Sequence, residues 1–238
     1  MRGDIPVPRE ARDVTGLVLR RFRGDQDLPA MVDVYEAVYE EDGLDQVMTV
    51  DRLRNEYDRL PNLDPREDVV IAEVDGEVVG YSQLYWFQEV DGPFAVSHRE
   101  RVAPGWRGRG LTRALLSVNT ALAREKAGAH AGGPWRMGTV TADTEVHRTR
   151  LLEASGYHKE RFYLEMLRDL REPIQEFPLP RGIHVRPPGE GERRKVFEAI
   201  WEGFRGSFAF REMDERDWTG FETSPEFQPD LWVVGGDG

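Results

Sequence analysis

Val102-Ala103-Pro104-Gly105-Trp106-Arg107-Gly108-Arg109-Gly110-Leu111 joins a strand-like segment to a long helical pattern, and the fold is read from this junction. Behind it, Leu111, Leu115, Val118 and Leu122 recur at the spacing of one helical face. Ahead of it, Phe94 to Val102 reads as the strand that delivers the chain to the loop. Gly108 and Gly110 let the backbone take turn conformations and approach a ligand closely. The first N–H groups of a helix lack intrahelical acceptors, so they point at any anion held in the loop. A tight turn feeding an ordinary core helix is the alternative.

Outward from this junction the chain alternates between strand and helix patterns. Leu17, Leu19 and Phe22 alternate as a strand. Asp27 offers an N-cap to a helix facing inward with Met31, Val34, Tyr35 and Val38, and Thr49 caps a second with Val50, Leu53, Tyr57 and Leu60. Val69 to Val74 and Val78 to Trp86 flank Asp75-Gly76, a strong hairpin signal. Gly128 is expected to close the long helix, with Arg124 and Lys126 near its negative end. Trp135 to Val140 reads as a strand, a helix capped by Asp143 or Thr144 stops at Gly156, and Phe162, Leu164 and Met166 alternate as a last strand. These elements make an α/β (α+β) domain, a mixed sheet flanked by helices, over residues 16–168, preceded by an arm over 1–15.

Five prolines between Pro173 and Pro188 mark a linker, with 169–182 as its bounds, and the pattern then starts again. Ile183-His184-Val185-Arg186 echoes Leu17-Val18-Leu19-Arg20 at an offset of 185 − 19 = 166. Asp230 to Gly238 matches Asp68 to Gly76 at 231 − 69 = 162. Residues 183–238 therefore read as a partial second repeat that ends before any equivalent of the glycine loop. Chance agreement of short strand patterns is the alternative. Trp201, Phe204, Phe208, Phe210, Trp218 and Phe221 are too much aromatic surface for so short a piece to leave in water, so it packs on the first domain or forms a homodimer.

The charge sum of 32 − 44 = −12 disfavours a nucleic acid or an anionic membrane as partner and suits an amine substrate, although it also serves solubility. With no cysteine there is no disulfide and no thiolate chemistry, and no residue spacing suggests a metal site. The N-terminus lacks an apolar export core and no stretch has the length of a membrane span, so a cytoplasmic location is expected.

The run Val102-x-Pro104-x-x-Arg107-Gly108-x-Gly110-Leu111, after antiparallel strands and before a long helix, resembles the acetyl-CoA-binding motif of the GCN5-related N-acetyltransferase family. The likeness covers roughly residues 16–168, and the duplicated layout resembles mycothiol synthase-like tandem acetyltransferases. It implies acetyl-CoA as cofactor, with the pyrophosphate on the backbone of Arg107, Gly108, Arg109, Gly110, Leu111 and Thr112 and added charge from Arg109 and Arg113. Thr112 stands where the motif has Gly or Ala, and Trp106 packs the loop or rims the site. The resemblance also implies that the strand ending at Val102 splays from Trp135 to Val140, leaving a slot for the pantetheine arm. There the N–H of Val102 polarises the thioester carbonyl.

The activity so implied is direct transfer of an acetyl group to the primary amine of a small molecule. Such an amine is only about one part in a thousand neutral at pH 7, so a base must take its proton, and the departing thiolate benefits from an acid. Glu100 is the candidate base, with a solvated strand carboxylate as the alternative. His98, His147 and Tyr157 stand behind it. Many family members carry an acidic Tyr where this chain has Leu152, and Glu145 replaces an Asn that contacts pantetheine. Tyr81, Tyr85, Trp86 and Phe87 either line an acceptor pocket or fill the core. The rival reading is a non-catalytic acyl-CoA-binding sensor or scaffold.

Overall fold

A computed structural model describes residues 5–237; Met1 to Asp4 of the arm and Gly238 of the repeat lie outside the described residues. The hairpin at Asp75-Gly76 forms because both residues take left-handed backbone, φ 51 and 86, the geometry that matches the twist of the strands it joins. It links β2 (Val69–Val74) to β3 (Glu77–Gln88), and the sheet is completed by β1 (Leu17–Arg21), β4 (Phe94–Val102) and β5 (Trp135–Gly138). Strand order is β1-β2-β3-β4-β5; all neighbours are antiparallel except β4 and β5, which run parallel.

Alternation along the strands sends successive side chains to opposite faces, and each face carries its own core. On one side, Phe94, Val96 and Val102 pack with Leu111, Leu115, Val118 and Leu122 of α4 (Leu111–His130). On the other, Val69, Ile71 and Tyr81 pack with Met31, Val34, Tyr35 and Val38 of α1 (Leu28–Glu41) and with Leu53 and Tyr57 of α2 (Val50–Arg59). Thr49 caps α2, accepting from Arg52 N at 3.1 Å. A single-turn helix, α3 (Pro65–Asp68), precedes β2, and α5 (Val146–Ala154) follows β5.

Several expectations are corrected. Asp27 sits at the start of α1 without capping it, because buried Arg20 takes its carboxylate through two hydrogen bonds of 2.9 Å. The long helix does not stop at Gly128 but runs through it to His130, whose ring stacks on Trp86 at 4.3 Å and holds the last turn. Glu145, not Asp143 or Thr144, precedes the first residue of α5.

Residues 162–166 form no strand. Phe162, Leu164 and Met166 are 79, 86 and 90 % exposed, because alternation makes a strand only where a neighbour completes the ladder, and no described residue pairs with them. The arm, in contrast, is docked over its described part. Ile5 bridges Leu19, Ala11 is buried, and Val7 and Val14 pack on the α4 side of the sheet.

After an exposed connection come β6 (Ile183–Arg186), α6 (Arg193–Gly203), α7 (Glu215–Glu222) and β7 (Val234–Asp237). β6 and β7 pair antiparallel, Ile183 opposite Asp237, as β1 and β2 pair with Leu17 opposite Val74. The second-strand offset is therefore 237 − 74 = 163, one residue from the spacing read in the sequence. Phe197, Trp201, Trp218, Phe221, Phe227 and Trp232 form a chain of ring contacts, and α7 lies on α2. Asn55 Nδ2 donates to the Gly220 carbonyl at 3.0 Å, and Val90 N–H donates to that of Phe210 at 3.0 Å.

Candidate active site

Gly110 is the residue before α4, in left-handed backbone at φ 86, and it has no side chain to cap the helix. Intrahelical bonding begins with Ala114 N–H to the Gly110 carbonyl at 2.9 Å, so the amides of Leu111, Thr112 and Arg113 have no helical acceptor. Beside them Gly108, φ 76, has open space where a Cβ would stand, whereas a Cβ at Gly110 would run into the Glu10 carbonyl of the arm. Arg109 lies over the Trp106 ring at 4.7 Å, so Trp106 packs the loop. Arg113 is exposed and makes no ion pair among the described residues. Arg107 is differently employed: its guanidinium grips Asp42 at 2.7 and 2.8 Å and its N–H bonds the Pro104 carbonyl at 3.1 Å, so it anchors the loop to the end of α1.

Ladder geometry builds the slot. Ala103 N–H donates to Val79 O at 2.9 Å, and Gly80 lies opposite Val102. In an antiparallel pair the outward and inward amides alternate, so the N–H groups of His98, Glu100 and Val102 face away from β3, towards β5. Pairing with β5 ends at Ser97 and Gly138. One step further, Thr139 Oγ1 donates to the His98 carbonyl at 2.6 Å and Arg99 donates to that of Val140 at 2.6 Å. Beyond these ties the edge amides of Glu100 and Val102 have no strand opposite them among the described residues. Arg99 also holds Glu145 at 2.9 and 3.0 Å, and Glu145 accepts from Ala142 N–H at 2.8 Å. Its charge is thus matched at the slot wall.

Glu100 lies under the slot, its side chain 1 % exposed. His98 Nδ1 is 2.6 Å from its Oε1, Asn119 Nδ2 donates to the same oxygen at 2.7 Å, and Arg148 stands 3.5 Å from Oε2. Ser82 donates to Asn119 at 3.1 Å, and the Tyr157 hydroxyl is 2.9 Å from His98 Nε2. Burial alone would raise the Glu100 pKa, but the attraction and hydrogen bond of His98, with Arg148 and Asn119, bring it down to about 2. A carboxylate so placed is a weak base for an incoming amine. Burial, with the Glu100 charge behind it, pushes the Tyr157 phenol up to about 12. His147 is exposed on α5 and joins none of this, and Leu152 is buried.

The opposite face of the sheet holds Arg101, 7 % exposed, its guanidinium 4.6 Å above the Tyr35 ring and 5.5 Å from that of Tyr81. Its Nε and Nη1 and the Tyr81 hydroxyl are buried without hydrogen-bond partners among the described residues. Tyr81 is therefore core, and Trp86 stacks on the α4 side. Tyr85 and Phe87 line a cleft of about 420 Å³ closed by Arg59, Trp201, Phe210 and Phe221. Asn119, Ser82, Arg148 and Asp42 were not anticipated. Asn119 alone left a signal, an amide within the apolar face of α4.

The uncapped helix and the splayed edge strand thus meet at one slot beside the start of α4. Residues 28–133 match the model of the Acetyltransferase (GNAT) family. It is 28 % identical over 178 residues to a mycothiol acetyltransferase of Geodermatophilus obscurus, a match covering 72 % of this chain and 53 % of the relative. The chain thus spans about half the length of that curated relative. Its fold resembles a GCN5-related N-acetyltransferase from Sphaerobacter thermophilus, with a TM-score of 0.67 at 20 % identity, over 98 % of this chain and 69 % of that one. Among the described residues no helix is long and apolar enough to cross a membrane, and no three acidic or histidine side chains cluster as metal ligands do.

Proposed function

We propose that this chain transfers the acetyl group of acetyl-CoA to the primary amine of a small molecule by direct attack. The start of α4 carries this reading: three amides without helical acceptors, an open glycine at 108 and two exposed arginines suit a diphosphate. Arg107 positions this loop through Asp42. The pantetheine arm would lie along the edge amides of Glu100 and Val102, and the fixed N–H of Val102 would meet the oxygen on which charge develops in the tetrahedral intermediate. Binding energy in the cleft beside Tyr85 and Phe87 would hold the amine at the slot mouth.

The division into residues 16–168, a connector over 169–182 and a partial repeat over 183–238 belongs to this proposal. It is supported by the shared order of strand, two helices, a short helical turn and strand, and by the like pairing of β1/β2 and β6/β7. A homodimer through the C-terminal fragment and a cytoplasmic location are proposed on the same footing; a monomeric mass in sedimentation removes the former.

Calorimetry with acetyl-CoA, followed by thiol release against a panel of primary amines, tests the function. Saturable binding with turnover on one amine is the expected result. Binding without turnover on any amine would establish the non-catalytic acyl-CoA module, which Leu152 in the place of the usual tyrosine favours. Failure to bind removes both readings.

A further inference from the structure

Five polar side chains are buried together between β4 and α4, where an apolar core would be cheaper to form. Glu100 and His98 are fully buried, Asn119 and Ser82 stand beneath them, and Arg148 closes the side. Tyr157 alone reaches towards solvent, being half-buried, and its hydroxyl touches His98 Nε2.

The order of these groups fixes who donates. An ionised carboxylate only accepts, so His98 presents Nδ1–H to Glu100 and, when neutral, offers the Nε2 lone pair to the phenol. Asn119 then donates through its amide nitrogen, and its oxygen takes the Ser82 hydroxyl. The hydrogen bonds thus converge on the Glu100 carboxylate from two sides, one arm through His98 and the other through Asn119. The imidazole is on β4 beside the slot, and its own carbonyl is tied to Thr139 across the slot floor.

We infer that Tyr157 is the proton-transfer residue of the acyl transfer proposed above, with His98 and Glu100 as the positioning residues that make its phenol exchange protons. The inference rests on the acetyltransferase reading. When the neutral amine attacks the thioester carbon, the C–N bond forms and nitrogen carries an extra proton. That proton passes to the phenol oxygen as the phenol hydrogen moves to His98 Nε2, leaving an imidazolium held against the Glu100 carboxylate. The C–S bond then breaks with its electron pair on sulfur, and the reverse transfer delivers a proton to the thiolate. One proton is moved from nitrogen to sulfur, and the relay returns to its starting state.

The test uses the full chain and whichever amine the wild type accepts. Tyr157→Phe keeps the ring and is expected to lower kcat by roughly 10²-fold, with the KM for acetyl-CoA unchanged. His98→Ala should lose a similar factor and regain activity with added imidazole but not with pyrrole, which fills the space and cannot accept a proton. His98→Gln, able to bond Glu100 without relaying, should stay as slow as His98→Ala and show no rescue. An active wild type whose Tyr157→Phe variant keeps full kcat overturns the relay and leaves the acetyltransferase standing. Equal rescue by pyrrole makes the network structural and also overturns it. A wild type that binds acetyl-CoA and turns over no amine overturns relay and activity together.

Discussion

Replacing Gly110 by alanine perturbs two things that the structure lets one separate. Gly110 holds φ 86, and a Cβ in left-handed backbone costs roughly 1–2 kcal/mol. The same Cβ would stand 1.8 Å from the Glu10 carbonyl oxygen, about half a normal contact, and backbone cannot yield as a side chain tip can. The arm must therefore lift, and with it the burial of Ala11 and part of Ile5, Val7 and Val14, on the order of 1–3 kcal/mol of apolar contact. The sum of about 2–5 kcal/mol should lower Tm by roughly 4–20 °C for a chain of this length. Thermal melting of Gly110→Ala in the full chain and in a variant lacking residues 1–11 forms a cycle. In the shortened background only the backbone part should remain. Equal losses in the two backgrounds would refute the contact between arm and loop. A trypsin digest offers the independent view, since Arg9 and Arg12 should become cleavable in the full-length mutant.

Glu100, with its pKa lowered to about 2 from an ordinary value of 4.5, contributes stability that is present above the unfolded pKa and lost as pH falls through the folded one. Urea midpoints of Glu100→Gln should consequently change less than those of the wild type between about pH 4.5 and 2. Gly220→Val drives a side chain into Arg59, whose Cβ is 2.8 Å from where the new Cβ would be. It should cost roughly 1–3 kcal/mol, and emission from buried Trp218 should shift to the red as α7 leaves α2.

The glycine loop was legible because its chemistry is local. Gly108 and Gly110 need positive φ, the turn at Asp75-Gly76 needs two such residues, and the Leu111, Leu115, Val118 and Leu122 face needs only a period. What escaped depends on partners far along the chain. Asp27 has the composition of an N-cap, and only the fold brings Arg20 to claim it. Phe162, Leu164 and Met166 alternate as well as β4 does, but alternation cannot supply the neighbouring strand. The network around Glu100 draws on β3, β4, α4, α5 and the residue after the Gly156 turn, and no spacing along the chain encodes that convergence.

The same unpaired run has a consequence for the behaviour of the protein at high concentration. β5 is a four-residue strand at the sheet margin, and the apolar side chains from Phe162 to Phe177 stand largely uncovered among the described residues. Together these are the ingredients of intermolecular strand addition. Arg161 flanks the run and Glu165, Arg168 and Arg171 interrupt it as gatekeepers, so neutralising them should turn a manageable solution into one that precipitates on concentrating.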